Sequence, residues 1–332
     1  MKVTKVFALS LVAFLCSCHS GSSIKEETHF LFDTMVSVSI KDGKKEDYQE
    51  LKRILNKYDA VSDNFKTRDV FNVYLWSQTE EEVYFGDEPD KAPIELYYLV
   101  KKTFKAEWDA SHLDVRIGSL VQKWKDAESK GQVLDNSVIQ EELEKKRNSE
   151  YRIHTDDDPS QNYILQRGVE SFDYGATAKG CALDACKEYL DSREDLTDYI
   201  INAGSSSILL GANSRNEKYG ANYRIKIKDL DNVFFYAHDC FISTSGTSEQ
   251  GATINGVRYS HIINPRDGNA VTNYDTVIVI SNEGTYGDAF STSIMFDDSI
   301  ETIEELENNF NLKTIIIKDK RILHAHKDIV FA

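Results

Sequence analysis

Between residues 28 and 40 apolar side chains recur at alternate positions. Phe30, Phe32, Val36, Val38 and Ile40 share one parity, and Asp33, Ser37 and Ser39 the other. A period of two predicts one half-buried strand over 28–40. The period changes over 45–60, where Tyr48, Leu51, Leu55 and Tyr58 repeat at helical spacing and predict a helix buried along one face. A second helix is predicted over 93–109, with Pro93 in its first turn, and a charged surface helix over 135–150. From residue 151 onward short strands dominate: 151–155, 162–167, 198–202, 206–211, 222–228, 233–237, 258–263 and 275–281. Helices interrupt them at 177–191, 286–296 and 299–309, and 313–318 with 321–326 predict a closing hairpin around Asp319-Lys320. Grouped strands with helices set apart predict an α+β fold with antiparallel sheets, not alternating βα units.

The N-terminus reads differently. Lys2 and Lys5 precede an apolar run from Val6 to Leu15, which is the length of a signal-peptide core and too short to span a bilayer. Leu15-Cys16-Ser17-Cys18 follows and resembles a bacterial lipobox, in which cleavage leaves the cysteine to carry lipid. The expected organisation is a signal peptide over 1–17, lipidated Cys18, a tether over 18–27 and one folded domain over 28–332. An ordinary secretory signal ending nearby is the alternative. Either way the chain is expected in the cell envelope; with the lipid it is anchored to a bacterial membrane and faces the periplasm or exterior.

Composition narrows the function. Across 332 residues, 41% are hydrophobic and 11% aromatic, enough for one large core or two smaller ones. Charged residues make up 28%, with 4 prolines and a mean hydropathy of −0.45, a globular composition. The net charge is −16; without Lys2 and Lys5 it is 37 basic against 55 acidic residues, or −18. Such a surface repels polyanions and argues against nucleic acid as the main partner. A phosphate ligand must be held locally, by a metal, a lysine or backbone N–H groups. Of the five cysteines, Cys181, Cys186 and Cys240 lie beyond the signal region in no CxxC pattern, and are expected as small buried side chains.

Three segments carry candidate chemistry. Gly175-Ala176-Thr177-Ala178-Lys179-Gly180 opens a predicted helix, but Cys181-Ala182 stand where a P-loop needs Lys-Ser/Thr. It is either a simple glycine turn or a helix start whose N–H groups and Lys179 face an anion, with Asp173 six residues upstream of the lysine. In Gly287-Asp288-Ala289-Phe290-Ser291-Thr292, helical geometry puts Asp288 and Thr292 on one face. Their oxygens suit a hard cation such as Mg²⁺, but spacing alone favours a capping aspartate with a back-bonded threonine. His261 is expected on a strand before the turn Pro265-Arg266-Asp267-Gly268, either structural or a proton acceptor. Neither a GxGxxG nor a GxSxG motif occurs, which leaves a Rossmann site and a nucleophile elbow without support.

In order along the chain these segments resemble the FAD:protein FMN transferase family, the ApbE-like lipoproteins. Phe32-Asp33-Thr34 resembles the family's Met-Gly-Thr. Leu113-Asp114-Val115-Arg116-Ile117-Gly118 through Trp124 resembles its FDPTVGPLVxxW stretch. Asp173 to Gly180, continued by Ala182 and Asp184, resembles DLGGIAKGYAVD. Asn202-Ala203-Gly204, Thr244-Ser245-Gly246 with His261 to Gly268, and Asp288 to Thr292 resemble NAGG, TSG with HIIDPRTG, and ADALSTAL. The chain departs from these patterns at Asp33, at Ser205-Ser206-Ser207, at Asn264 and at Asp267.

The resemblance implies an ApbE-like (T-fold-like) fold and a Mg²⁺-dependent transfer of FMN from FAD to a threonine or serine of an acceptor protein, with AMP leaving. It implies Asp288, Ser291, Thr292 and the backbone oxygen of Ala176 as metal ligands. Phe32, His112, Leu113, Asp114, Asp173, Lys179 and Ile262 are implied around FAD. Acceptors in the family are redox-complex subunits with an Asp-Gly-x-Ser/Thr-Gly-Ala-Thr-like motif. Phosphoryl transfer to a hydroxyl needs a proton acceptor, and His261 is the candidate beside catalytic Asp288. The alternatives are a Mg²⁺-dependent FAD pyrophosphatase releasing FMN and AMP, a non-enzymatic FAD-binding lipoprotein, and a solute-binding lipoprotein unrelated to flavin.

Overall fold

The structure is a computed structural model that describes residues 24–332 apart from 87, 89, 111, 215–221, 248–250 and 298; Cys18 lies outside the described residues. The chain opens with β1 (Ile24–Leu31), β2 (Thr34–Lys41), α1 (Lys45–Ser62), α2 (Val73–Ser77), β3 (Val83–Tyr84) and α3 (Ile94–Ala110). A 3-10 turn at Val115–Ile117 leads into α4 (Gly118–Ser129), α5 (Asn136–Arg147), β4 (Glu150–His154) and β5 (Tyr163–Arg167). Then come α6 (Ala178–Asp191), β6 (Tyr199–Ala203), β7 (Ser207–Leu210), β8 (Tyr223–Lys226), β9 (Phe234–Ala237), β10 (Cys240–Gly246), β11 (Gly251–Ile254) and β12 (Val257–Ser260). The chain closes with β13 (Thr276–Ser281), α7 (Gly284–Ile294), α8 (Ile300–Phe310), β14 (Lys313–Lys318) and β15 (Arg321–Ala325).

Eight strands form one antiparallel sheet in the order β1-β2-β6-β7-β10-β13-β14-β15. Alternation assigns its two faces. Val36, Val38, Ile201, Leu209 and Phe241 pack under α1, α3 and α6, and Val277, Val279 and Ile316 pack under α7 and α8. The intervening residues, among them Ile242, Ile278, Ile315 and Ile317, face the opposite way and are covered by the β8–β9 hairpin through Phe235, with Ile227 and Ile329. Among the described residues no helix is long and apolar enough to cross a membrane.

The single strand expected over 28–40 is a hairpin. Phe32 and Asp33 both have positive φ, 52° and 54°, the geometry of a type I′ turn. Asp tolerates this region, but Phe gives no turn signal, so the alternation reads straight through. The turn also reverses parity. Val36 pairs with His29, and Phe30 pairs with Met35 on the solvent side, where they are 59% and 50% exposed; Leu31 points to the core instead. The strand begins at Ile24, within the stretch expected as tether. His261 lies just beyond the end of β12, not on a strand.

Candidate functional site

A cleft of about 490 Å³ opens at one end of the large sheet. Its walls are the β1–β2 turn, the loop after α1, the segment Leu113–Asp114, the turn before α6, the ends of β10 and α7, and the stretch after β12. The turn before α6 is held from three sides. Asp173 Oδ1 accepts the Gly175 N–H at 2.7 Å, Asp173 N donates to Val115 O at 2.7 Å, and Thr177 Oγ1 lies 2.9 Å from Thr103 Oγ1 on α3. Lys179, in the first turn of α6, lines the cleft.

Below the cleft floor, α7 meets the central strands. Phe241, Ser243 and Ser245 of β10 face the helices, so that face turns from apolar to hydroxyl along one strand. Asp288, 6% exposed, accepts Ser207 Oγ at 2.8 Å and Ser243 Oγ at 2.6 Å on Oδ1, and the Gly180 N–H at 2.7 Å on Oδ2. Ser245 Oγ lies 3.0 Å from both Ser291 Oγ and Thr292 Oγ1. Burial pushes the Asp288 carboxyl above its ordinary value, against the pull of Lys179 and the three donors. Among the described residues no group of three or more His, Cys, Asp or Glu side chains converges. A cation here would therefore have to rest on one carboxylate with hydroxyl and carbonyl oxygens.

The ApbE family model matches residues 32–316, which takes in every wall of the cleft. The chain belongs to the ApbE family. It is 25% identical over 255 residues to the FAD:protein FMN transferase of Treponema pallidum, covering 71% of this chain and 69% of that one. It is 30% identical over 193 residues to the protein of the same name from Klebsiella pneumoniae, covering 58% of each. In fold it matches the flavin transferase ApbE of Vibrio cholerae with a TM-score of 0.71 at 19% identity, covering 92% of this chain and 98% of the other. The ApbE protein of Thermotoga maritima matches with a TM-score of 0.70 at 20% identity, covering 89% and 94%.

Of the residues expected at an ApbE site, Phe32, Leu113, Asp114, Asp173, Ala176, Lys179, His261, Ile262 and Thr292 line the cleft. Asp288 and Ser291 sit behind Thr292 in the hydroxyl network described above. His112 is not among the lining residues; burial and then Arg266 hold its imidazole below the usual value. Asp114 lines the cleft, but its carboxylate is bound by the Arg116 guanidinium at 2.9 Å and Lys146 Nζ at 3.2 Å. Burial raises its carboxyl, and those two cations outweigh it and hold it below the ordinary range. The Ile262 N–H already donates to Ser260 Oγ at 3.1 Å and its carbonyl accepts from Val271 N at 2.9 Å, leaving one carbonyl lone pair for a ligand.

Several residues of the site have no local sequence signal. Asp59 on α1 accepts the Phe32 N–H at 2.6 Å and fixes the turn at the cleft edge. Phe65, in the loop after α1, is 53% exposed at the cleft mouth with Lys125 of α4 4.9 Å over its ring. Ser207 and Ser243 pair across neighbouring strands and reach Asp288 from far away in sequence.

Behind Leu113–Asp114, Glu107 accepts the Val115 N–H at 2.6 Å and the Tyr151 hydroxyl. Burial pushes its carboxyl up to about 7 from 4.5, against the lowering effect of those two donors. Above the unfolded value the folded chain holds the extra proton, so this contribution to stability is full at low pH and is lost as pH rises through about 7. The difference corresponds to roughly 3 kcal/mol. Thermal melts from pH 5.5 to 8.5 should therefore fall more steeply for wild type than for Glu107→Gln. Equal slopes would show that this carboxyl is not the source.

Proposed function

We propose that the chain transfers FMN from FAD to a threonine or serine hydroxyl of another protein in a Mg²⁺-dependent reaction that releases AMP, and that it does so from a lipid-anchored position in the cell envelope. The observation that carries the cation is a contrast between two buried aspartates. Asp184 on α6 has Lys102 Nζ at 3.1 Å, whereas among the described residues Asp288 forms no ion pair and accepts only neutral donors. A buried carboxylate without a contacting cation is costly, and a hard divalent ion would remove the cost. The donor set fits one: the Asp288 carboxylate, the Thr292 and Ser291 hydroxyls and the carbonyl of Ala176 at the cleft are all oxygens. When bound, Mg²⁺ supplies charge neutralisation on the diphosphate and fixes its orientation.

The chain's own groups account for the remaining steps. Lys179, at the N-terminal turn of α6, adds positive charge where the helix dipole already favours an anion. Phe32 and Leu113 offer apolar surface to a flavin or adenine ring, and the turn fixed by Asp173 presents backbone to the nucleotide. The acceptor hydroxyl oxygen attacks the FMN phosphorus. The new O–P bond forms as the diphosphate P–O bond breaks, and AMP departs with the bridging oxygen. His261 accepts the hydroxyl proton. The acidic surface suits this division, because the phosphates are held at one local site and not by long-range attraction.

The test is mass spectrometry of a peptide carrying an Asp-Gly-x-Ser/Thr-Gly-Ala-Thr-like motif after incubation with the protein, FAD and Mg²⁺. The expected result is one FMN per peptide on the hydroxyl residue with equimolar AMP. His261→Ala should slow the transfer by about 10²–10⁴-fold, the usual contribution of a general base. A rate within twofold of wild type across pH would remove His261 from that role. FMN and AMP released with unlabelled peptide would identify a pyrophosphatase instead. In the same experiment on membrane preparations, an unacylated Cys18 peptide would remove the anchor.

A further inference from the structure

Helices α6 and α7 cross at their first turns, where two glycines bring the backbones together. A Cβ on Gly180 would stand 2.1 Å from Gly284 O, and one on Gly284 would stand 2.4 Å from Gly180 O. Each helix carries an aspartate four residues beyond its glycine, and each aspartate caps the other helix. Asp288 of α7 takes the Gly180 N–H at 2.7 Å. Asp184 of α6 takes the Gly284 N–H at 2.6 Å, the Thr285 N–H at 3.2 Å and the Thr285 hydroxyl at 2.6 Å. The clasp is reciprocal in hydrogen bonding and unequal in charge. Lys102 of α3 pairs with Asp184 at 3.1 Å, and burial of that ammonium is more than offset by its acidic surroundings, Asp184 first and Glu188 at 3.7 Å among them. Asp184 is thus already neutralised, and its lone pairs are engaged by four donors. That makes it unsuited to bind a ligand and suited to hold α7.

We propose that Asp184, braced by Lys102, is a positioning residue that fixes the start of α7 and so holds Asp288 and Thr292 in the geometry a divalent cation requires; this rests on the cation reading given above. The mechanical link is short. Gly284 and Thr285 lie one helical turn before Asp288, about 5 Å along a rigid rod, so a shift of the first turn carries to the carboxylate. Outer groups that orient metal ligands contribute about 10–100-fold to metal affinity.

The test is direct Mn²⁺ binding to the full chain, followed by the electron paramagnetic resonance of free Mn²⁺, alongside thermal melts. Asp184→Asn should weaken Mn²⁺ binding by about tenfold or more. Thr285→Val, which removes one donor and leaves the Asp184–Lys102 pair, should weaken it measurably in the folded protein, with a lowering of the melting temperature that reflects the one lost hydrogen bond. If Asp184→Asn fails to fold, Thr285→Val carries the test. A merely structural cap would lower the melting temperature and leave the Mn²⁺ affinity of the folded protein unchanged, and that result in either folded variant overturns the proposal. A wild-type chain that binds no Mn²⁺ overturns the cation reading itself, whereas wild-type binding with unaffected variants overturns only the role of Asp184.

Discussion

Asp288→Asn should leave a folded protein that transfers FMN about a thousandfold more slowly than wild type at saturating Mg²⁺, since a bound divalent ion supplies several kcal/mol of transition-state stabilisation. The asparagine keeps the shape of the buried side chain, and its carbonyl oxygen in the Oδ1 position can still accept from the Ser207 and Ser243 hydroxyls, while its amide nitrogen replaces the acceptor of the Gly180 N–H. What it loses is the charge. The side-chain amide also turns N–H groups toward donors, so a modest loss of stability, about 1–3 kcal/mol, accompanies the change. Steady-state transfer to the acceptor peptide, read with a melting curve, separates the two effects. A rate within tenfold of wild type would show that the carboxylate does not hold the ion.

Gly180→Ala should be strongly destabilising although it adds a single carbon. In an ordinary helix this substitution gains about 1 kcal/mol. Here the added carbon would meet Gly284 O at 2.1 Å, Gly284 C at 2.4 Å and Thr285 N at 2.8 Å, all of them backbone. No side chain can rotate away, so α6 and α7 must separate and the reciprocal caps must lengthen. A loss of about 3 kcal/mol or more is expected, at or beyond the upper range of overpacking. Urea denaturation of the two proteins measures it. A midpoint equal to or above that of wild type would mean that the helices do not approach as closely as described.

The helices and the closing hairpin were legible because each buries one face and repeats at a regular period. The predicted 45–60, 177–191 and 299–309 correspond to α1, α6 and α8. What failed did so where a local pattern was interrupted by chemistry. β10 carries serines at the positions that face α7, so a central strand lacks a continuous apolar row. The β1–β2 turn uses Phe32 where glycine or asparagine is usual, which hid a hairpin and inverted the face assigned to Phe30. Helix α4 has buried Leu120, Val121 and Trp124 at helical spacing, but it opens at a glycine after an irregular segment and has no N-terminal cap signal.

The site divides in the same way. Asp288 and Thr292 could be paired from one helix period, and Asp173 with Lys179 from one turn. Their partners could not. Ser207 lies 81 residues from Asp288 and Ser243 lies 45, and only the strand order brings them together. Nor does the sequence disclose that Asp114 is bound by Arg116 and Lys146, which makes it a fixed wall of the cleft and not a free carboxylate. Likewise the symmetry of Gly180…Asp184 with Gly284…Asp288 is written in the sequence, but it acquires meaning only when the two helices are seen to cross.

In the proposed function a divalent cation is gripped between the turn at Ala176 and the helix of Asp288. Anomalous diffraction from crystals grown with Mn²⁺ and FAD tests it most directly. The expected result is a single strong peak about 2.1 Å from an Asp288 carboxylate oxygen, Thr292 Oγ1 and the Ala176 carbonyl, touching the diphosphate. Nucleotide density in the cleft with no manganese peak beside Asp288, or a peak held by other residues, would contradict it.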